Sequence, residues 1–158
     1  MPVIEIVPAA PEHVDPIASD PREADVAELW AVGRVTPEQA MVNGLRGSAR
    51  AWTGMVDGVP ACMFGATPYS ILGGMGTPWM IGSNALGAWS AQKALLREAR
   101  PIVGQMQAMF PKLLFNVVDQ RNVQAQRWLR WLGFQLMDPT PIGPDGLPFI
   151  PFWRAPGV

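Results

Sequence analysis

Between Asp57 and Lys93 the chain carries no formally charged residue, a stretch long enough to raise the question of a membrane-spanning helix. Its glycines and prolines answer that question. Gly65, Pro68, Gly73, Gly74, Gly76, Pro78, Gly82 and Gly87 cut it into pieces of strand length, and a spanning helix would have to absorb the cost of all of them. The reading that remains is buried strands joined by turns. A strand covered on both faces becomes a continuous apolar run without polar alternation, so this stretch predicts a central sheet with layers on both sides and no membrane span.

The flanking sequence supplies the other elements. Val3 to Val7 is a short strand by its β-branched content, ending at Pro8. Asp20, Pro21 and Glu23 spell a helix start with Asp20 as N-cap, the helix running to Gly33, and Thr36-Pro37-Glu38-Gln39 repeats that signal for a second helix to about Arg46. Ala51 to Val56, Asp57-Gly58, then Val59 to Ala66 is a hairpin pattern with a tight primed turn, and a third strand fits Pro78 to Asn84. Ser90 to Phe110 is helical, with Pro101 expected to kink or split it. Leu113 to Val118 reads as a buried strand, Asn122 to Leu132 as an amphipathic helix closed by Gly133, and Phe134 as the start of a further strand. The Pro-rich region 138–158 holds a turn at Pro144-Asp145-Gly146 and a last strand from Leu147 to Trp153. Without repeats or a low-complexity linker, 1–158 reads as a single α+β domain around one sheet.

Charge and cysteine usage narrow the function. Twelve Lys and Arg against thirteen Asp and Glu give a net charge of -1, which offers no bulk attraction to nucleic acid or anionic lipid. One cysteine and one histidine, Cys62 and His13, leave too few ligands for a zinc site, so no metal is expected. The start Met1-Pro2-Val3 lacks the basic and apolar regions of a secretory signal, which predicts an intracellular site of synthesis, the cytoplasm.

Asn122 to Phe134 reads N-V-Q-A-Q-R-W-L-R-W-L-G-F. This resembles the C-terminal motif of the GNAT (GCN5-related N-acetyltransferase) superfamily, in which Asn, an Ala three residues on and a terminal Leu-Gly-Phe follow an apolar strand. The order of elements is similar too. The resemblance implies a GNAT-like fold, with a mixed, mostly antiparallel central sheet flanked by helices, and acetyl-CoA as the cofactor of an active member. In that family a loop Q/R-x-x-G-x-G/A opens the long central helix and its backbone N–H groups hold the diphosphate. The corresponding segment is Asn84-Ala85-Leu86-Gly87-Ala88-Trp89, with Asn and Trp where the pattern differs. If acetyl-CoA binds, the resemblance assigns it Asn84, Gly87, Ala88 and Asn122. The family's frequent general acid, a Tyr, falls on Leu129; its frequent base, a Glu on the fourth strand, has no counterpart, because no Asp or Glu lies between Asp57 and Glu98. No catalytic residue is therefore assigned.

A second resemblance covers more of the chain. S-D-P-R-E at Ser19 to Glu23, A-W-T-G-M-V-D-G at Ala51 to Gly58, Gly76 to Trp79, and V-D-Q-R-N before the last motif are similar to a phage-encoded family. That family is related to a small internal virion protein of short-tailed bacteriophages and is GNAT-like without a demonstrated reaction. It implies a bacteriophage origin, other virion or assembly proteins as partners, self-association among them, and a non-catalytic role through protein contacts with no cofactor, inside the virion once assembled. An active acetyl-CoA-dependent N-acetyltransferase is the alternative.

Individual residues carry both structural and functional readings. Cys62 lies in an apolar strand and reads as a small buried hydrophobe, with nothing to orient it toward His13. Gly73-Gly74-Met75-Gly76 precedes a strand and reads as a turn, not a phosphate loop. Asn122 reads as an N-cap first and a cofactor neighbour second. On the C-terminal helix Gln124, Arg127 and Trp131 share the solvated face, opposite Ala125, Trp128, Leu129 and Leu132. Arg127 and Trp131 are the residues expected at a protein interface, with Trp131 packed under the C-terminal tail as the structural alternative.

Overall fold

The charge-free stretch becomes the middle of an eight-stranded sheet. In the computed structural model, which describes residues 2–157, the strands are β1 (Ile4–Pro8), β2 (Arg50–Val56), β3 (Val59–Ser70), β4 (Met75–Gly82), β5 (Leu113–Asp119), β6 (Gln135–Leu136), β7 (Thr140–Ile142) and β8 (Leu147–Arg154). They lie in the order β1-β2-β3-β4-β5-β8-β6, with β7 also pairing β8. Every pairing is antiparallel except β4 with β5. The helices are α1 (Val14–Ala18), α2 (Glu23–Gly33), α3 (Pro37–Gly47), α4 (Trp89–Met109) and α5 (Val123–Trp131).

β3 shows why its sequence is apolar throughout. Its alternate residues Cys62, Phe64 and Ala66 join a core with Leu95, Leu96, Val103 and Met106 of α4 and Trp128 of α5. Met63 points the other way, into a second cluster with Val14 and Ile17 of α1 and Met41 of α3. Helices thus cover both faces, as the absence of polar alternation required. The close approach of α3 depends on Gly44, where an added Cβ would sit 2.4 Å from the Trp79 ring. Trp79 is held in place by its indole N–H, which donates to Ser48 Oγ at 2.8 Å.

Local signals placed several elements well. Thr36 caps α3 through its side chain and forms a full capping box with Gln39. Asp57 and Gly58 take the positive φ angles of 50° and 79° that the hairpin demanded, and Gly133 ends α5 at φ 92°. Other expectations are corrected. Asp20 does not cap α2: the N-cap is Arg22, and Asp20 Oδ1 accepts from the side-chain amide of Asn84 at 2.9 Å, while Pro21 bridges to Ser83. A 3₁₀ turn at Pro11–His13 and the helix α1 occupy a segment that carries no capping signal of its own. The strand expected over Pro78 to Asn84 is β4, Met75–Gly82, so Gly76 lies within it rather than in the turn, and Asn84 opens a 3₁₀ turn beyond it. Pro101 sits inside one uninterrupted α4. The carbonyl it leaves without a donor belongs to Arg97, an exposed residue on the solvent side of the helix. Phe134 packs edge-on against Phe152 and the short β6 follows it, and the tail contributes β7 as well as β8. Among the described residues, no helix is long and apolar enough to cross a membrane.

Candidate functional site

β4 and β5 run parallel but pair only at Met75 with Leu113 and Gly76 with Leu114. Past that vertex the strands diverge. Asn116 of β5 bridges the widening gap, donating from Nδ2 to the Pro78 carbonyl at 2.8 Å while its Oδ1 accepts from the Val117 N–H. Farther along, two carboxylates of α2, one turn apart, hold the ends of the two strands. Asp25 Oδ2 accepts from the Gly82 N–H at 2.8 Å and Glu28 Oε1 accepts from the Asp119 N–H at 2.7 Å. The Arg22 N–H donates to the Gly82 carbonyl. The start of α2 therefore acts as a wedge that satisfies backbone groups the sheet leaves unpaired.

Behind the wedge lies a cavity of about 610 Å³. Its wall combines Asp25, Glu28 and Leu29 of α2, Trp79 and Met80 of β4, Asn116 to Val118 of β5, Leu95 and Ala99 of α4, Trp128 and Leu129 of α5, and Phe149 of β8. The charged groups at its end are tightly placed. Arg22 pairs with Asp25 at 3.0 Å and lies over the Trp128 ring, 4.6 Å from its centroid. Asn122 sits between the acids, with Nδ2 3.4 Å from Asp25 Oδ1 and 3.5 Å from Glu28 Oε1. Burial raises the Asp25 carboxyl above its ordinary range, against the opposing charge of Arg22. Burial likewise pushes Glu28 up to about 7, a shift the Asp119 N–H bond opposes and the neighbouring charge of Asp25 reinforces. A carboxyl titrating near neutrality on a cavity wall is suited to taking a proton from a bound ligand.

Sequence reasoning placed the base of an active member on the fourth strand and so passed over Glu28. A signal was present: Asp25 and Glu28 share a helical stripe with the apolar Leu29 and Val32, which sets carboxylates on a face turned toward the core.

Of the residues expected to meet a cofactor, Asn122 lines the cavity, while Asn84, Gly87 and Ala88 lie off its lining, between the end of β4 and the start of α4. Gly87 adopts φ 61° just before α4 and donates its N–H to the Asn84 carbonyl. Ala88 is the N-cap of α4 and supplies no side-chain cap, so the N–H groups of Trp89 and Ser90 are uncommitted. Trp89 is half exposed and does not line the cavity. The Asn84 amide is spent on Asp20 and the Pro21 carbonyl. Asn122 is the expected N-cap, its Oδ1 accepting from the Ala125 N–H, and the residue also lines the cavity. Asn122→Ala should cost about 1 kcal/mol through the lost cap. It should also leave Asp25 and Glu28 without their shared amide, a change that a urea titration at pH 8 and at pH 5 would separate from the cap.

The remaining candidates stand apart from this site. Cys62 is fully buried and its thiol is pushed up to about 12, while His13 Nδ1 is occupied by the Ala10 N–H and Thr53 Oγ1. Arg127 and Trp131 are exposed on α5, and Trp131 stacks with Arg100 of α4 instead of lying under the C-terminal tail. Among the described residues no group of three or more His, Cys, Asp and Glu is placed to hold a metal.

No protein-family model matches this sequence, and no curated relative does. Solved structures do match in shape. An acetyltransferase of the GNAT family from Streptococcus pneumoniae superposes with a TM-score of 0.64 at 14% identity, over 96% of this chain and 98% of that one. The protein yncA of Salmonella typhimurium, solved with its cofactor acetyl-CoA, gives 0.70 at 13% identity over 97% and 94%. The aminoglycoside acetyltransferase AAC(6')-Ib, in complex with coenzyme A, gives 0.67 at 12% over 98% and 95%. The chain has the GNAT fold: an α+β architecture with an open, mostly antiparallel sheet.

Acetyl-CoA, the cofactor this fold implies, can be tested against the residues present. The uncapped start of α4 offers free N–H groups to a diphosphate, and the gap between β4 and β5 opens onto a cavity that can take a pantetheine arm. Trp128, on the cavity wall, has a buried indole N–H with no partner among the described residues. These features fit the group. Gln92 of α4 donates to the Gly87 carbonyl and accepts from Gln124 of α5, which in turn accepts from Arg22, so a polar strap joins the first turns of the two helices.

Proposed function

We propose that this protein is an acetyl-CoA-dependent N-acetyltransferase in which Glu28 of α2 is the base. The observation that carries the proposal is the near-neutral Glu28 carboxyl on the wall of the cavity between the diverging strands. It is supported by neighbours of the same fold that hold acetyl-CoA or coenzyme A. Bound there, the cofactor would supply a thioester carbonyl as electrophile. The chain's own contributions follow from its geometry. The free N–H groups at Trp89 and Ser90 hold negative charge at the helix start. Odd residues of β4 face β3, as the Ser83 N–H bond to the Ala61 carbonyl continues, so the Met80 N–H faces the gap between Pro78 and Gly82 and can donate to a carbonyl there. Glu28, ionised above about pH 7, takes a proton from an ammonium ion, and the apolar walls assist by lowering the ammonium's own pKa. Leu129 occupies the position where the resemblance sets a phenol, so α5 supplies no proton from that place.

Calorimetric titration with acetyl-CoA, and with coenzyme A as control, is the deciding experiment. Saturable micromolar binding, about -8 kcal/mol, is expected. Absence of binding into the millimolar range would remove the enzymatic reading.

The strap of Gln92, Gln124 and Arg22 favours a second reading, in which the cleft stays closed and the protein acts through contacts, with Arg127 and Trp131 at the interface. A phage virion or assembly role belongs to this reading and rests on the sequence resemblance alone. Under it Trp131→Ala should impair assembly while leaving folding intact, and normal assembly of that variant would count against the chosen contact.

A further inference from the structure

The chemistry of the cavity wall narrows the acceptor. Among the described residues that line it there is no Lys, Arg or His, whereas Asp25 and Glu28 both do. An acceptor bearing a carboxylate or phosphate would meet Glu28, whose charge no cation of the lining offsets, since Arg22 is paired with Asp25. A polycation fits no better. Asp25 is already occupied by Arg22 and the Gly82 N–H, while the bonds made by Glu28 all fall on Oε1, which leaves Oε2 as the one free carboxylate oxygen. Apolar side chains make up most of the lining, among them Leu29, Val32, Trp79 and Val117, with Asn43, Asn116 and Asn122 as uncharged polar groups. The acids are not the sole sign of a ligand, since the buried Trp128 indole N–H, on the lining of the same cavity, has no partner among the described residues.

We infer that the acceptor is a small amine with one cationic centre on an apolar or aromatic body, its nitrogen at Glu28 Oε2 and its body against Leu29 and Trp79. This rests on the acetyltransferase reading but concerns a different part of the cavity from the cofactor.

The test is calorimetric titration of the intact protein at pH 8, with and without saturating coenzyme A, using phenethylamine, phenylalanine and spermidine. Phenethylamine is expected to bind at least tenfold more tightly than either of the others, because phenylalanine adds a carboxylate and spermidine adds charge without apolar body. Glu28→Gln should weaken phenethylamine at least tenfold and leave coenzyme A affinity within twofold. Equal or tighter binding of phenylalanine or spermidine overturns the inference, and so does the absence of phenethylamine binding. If coenzyme A binds and phenethylamine does not, only this inference fails. If phenethylamine binds and acetyl-CoA does not, the acetyltransferase reading fails and the cavity remains an amine site.

Discussion

Glu28→Gln is expected to lower the rate of acetyl transfer by about 10²- to 10⁴-fold, the usual contribution of a positioned general base. The wild-type rate should rise with pH and level off above about 7, following ionisation of Glu28, and the variant should lose that rise. The same substitution has the opposite sign for stability. The carboxyl is raised from 4.5 to about 7 in the folded protein, so between those values the native state holds more protons than the unfolded chain. Its stabilising contribution is complete below the unfolded value and disappears as pH climbs through 7. The span is on the order of 3 kcal/mol. Gln cannot ionise but still accepts from the Asp119 N–H, so the variant should match the wild type near pH 4 and exceed it at pH 8 in urea titrations. A variant with unchanged turnover would exclude Glu28 as the base, and one with no pH-dependent gain in stability would show that the carboxyl is not held neutral by burial.

Phe149→Ala should destabilise the fold by about 3–5 kcal/mol. The ring is fully buried, and its residue pairs with Asp119 of β5 on one side and Thr140 of β7 on the other. It also lines the cavity, so a truncated side chain would enlarge a void that neighbouring strands, bonded on both edges, are unable to close. Urea unfolding should shift its midpoint with little change in slope. A cost below about 1 kcal/mol would mean that Phe149 contributes little packing to the cavity wall.

The elements readable in the sequence were those whose physics is local. The Thr36 capping box, the Asp57-Gly58 turn, the Asn122 cap and the Gly133 stop each involve residues within a few positions of one another. Those misread had local signals overridden from a distance. Asp20 resembles an N-cap until Asn84, 64 residues away, takes its carboxylate. Pro101 looks like a break, yet α4 runs through it, and the carbonyl that loses its donor is on the exposed Arg97. The α1 segment forms against α3 and β3, with Ile17 and Met41 fully buried, and has no start signal to read.

The site divides along the same line. The sequence alone determined the two-faced sheet, because a long uncharged run broken by Gly and Pro can be satisfied only as covered strands, and it determined that the fourth strand carries no acid. Tertiary structure decided where an acid would come from instead. Glu28 meets the Asp119 N–H across 91 residues and Asp25 meets the Gly82 N–H across 57, contacts that exist because two diverging strands leave backbone donors unpaired and a neighbouring helix carries carboxylates at the right turn. Desolvation at that meeting point, a property of the packed environment, sets the near-neutral titration of Glu28.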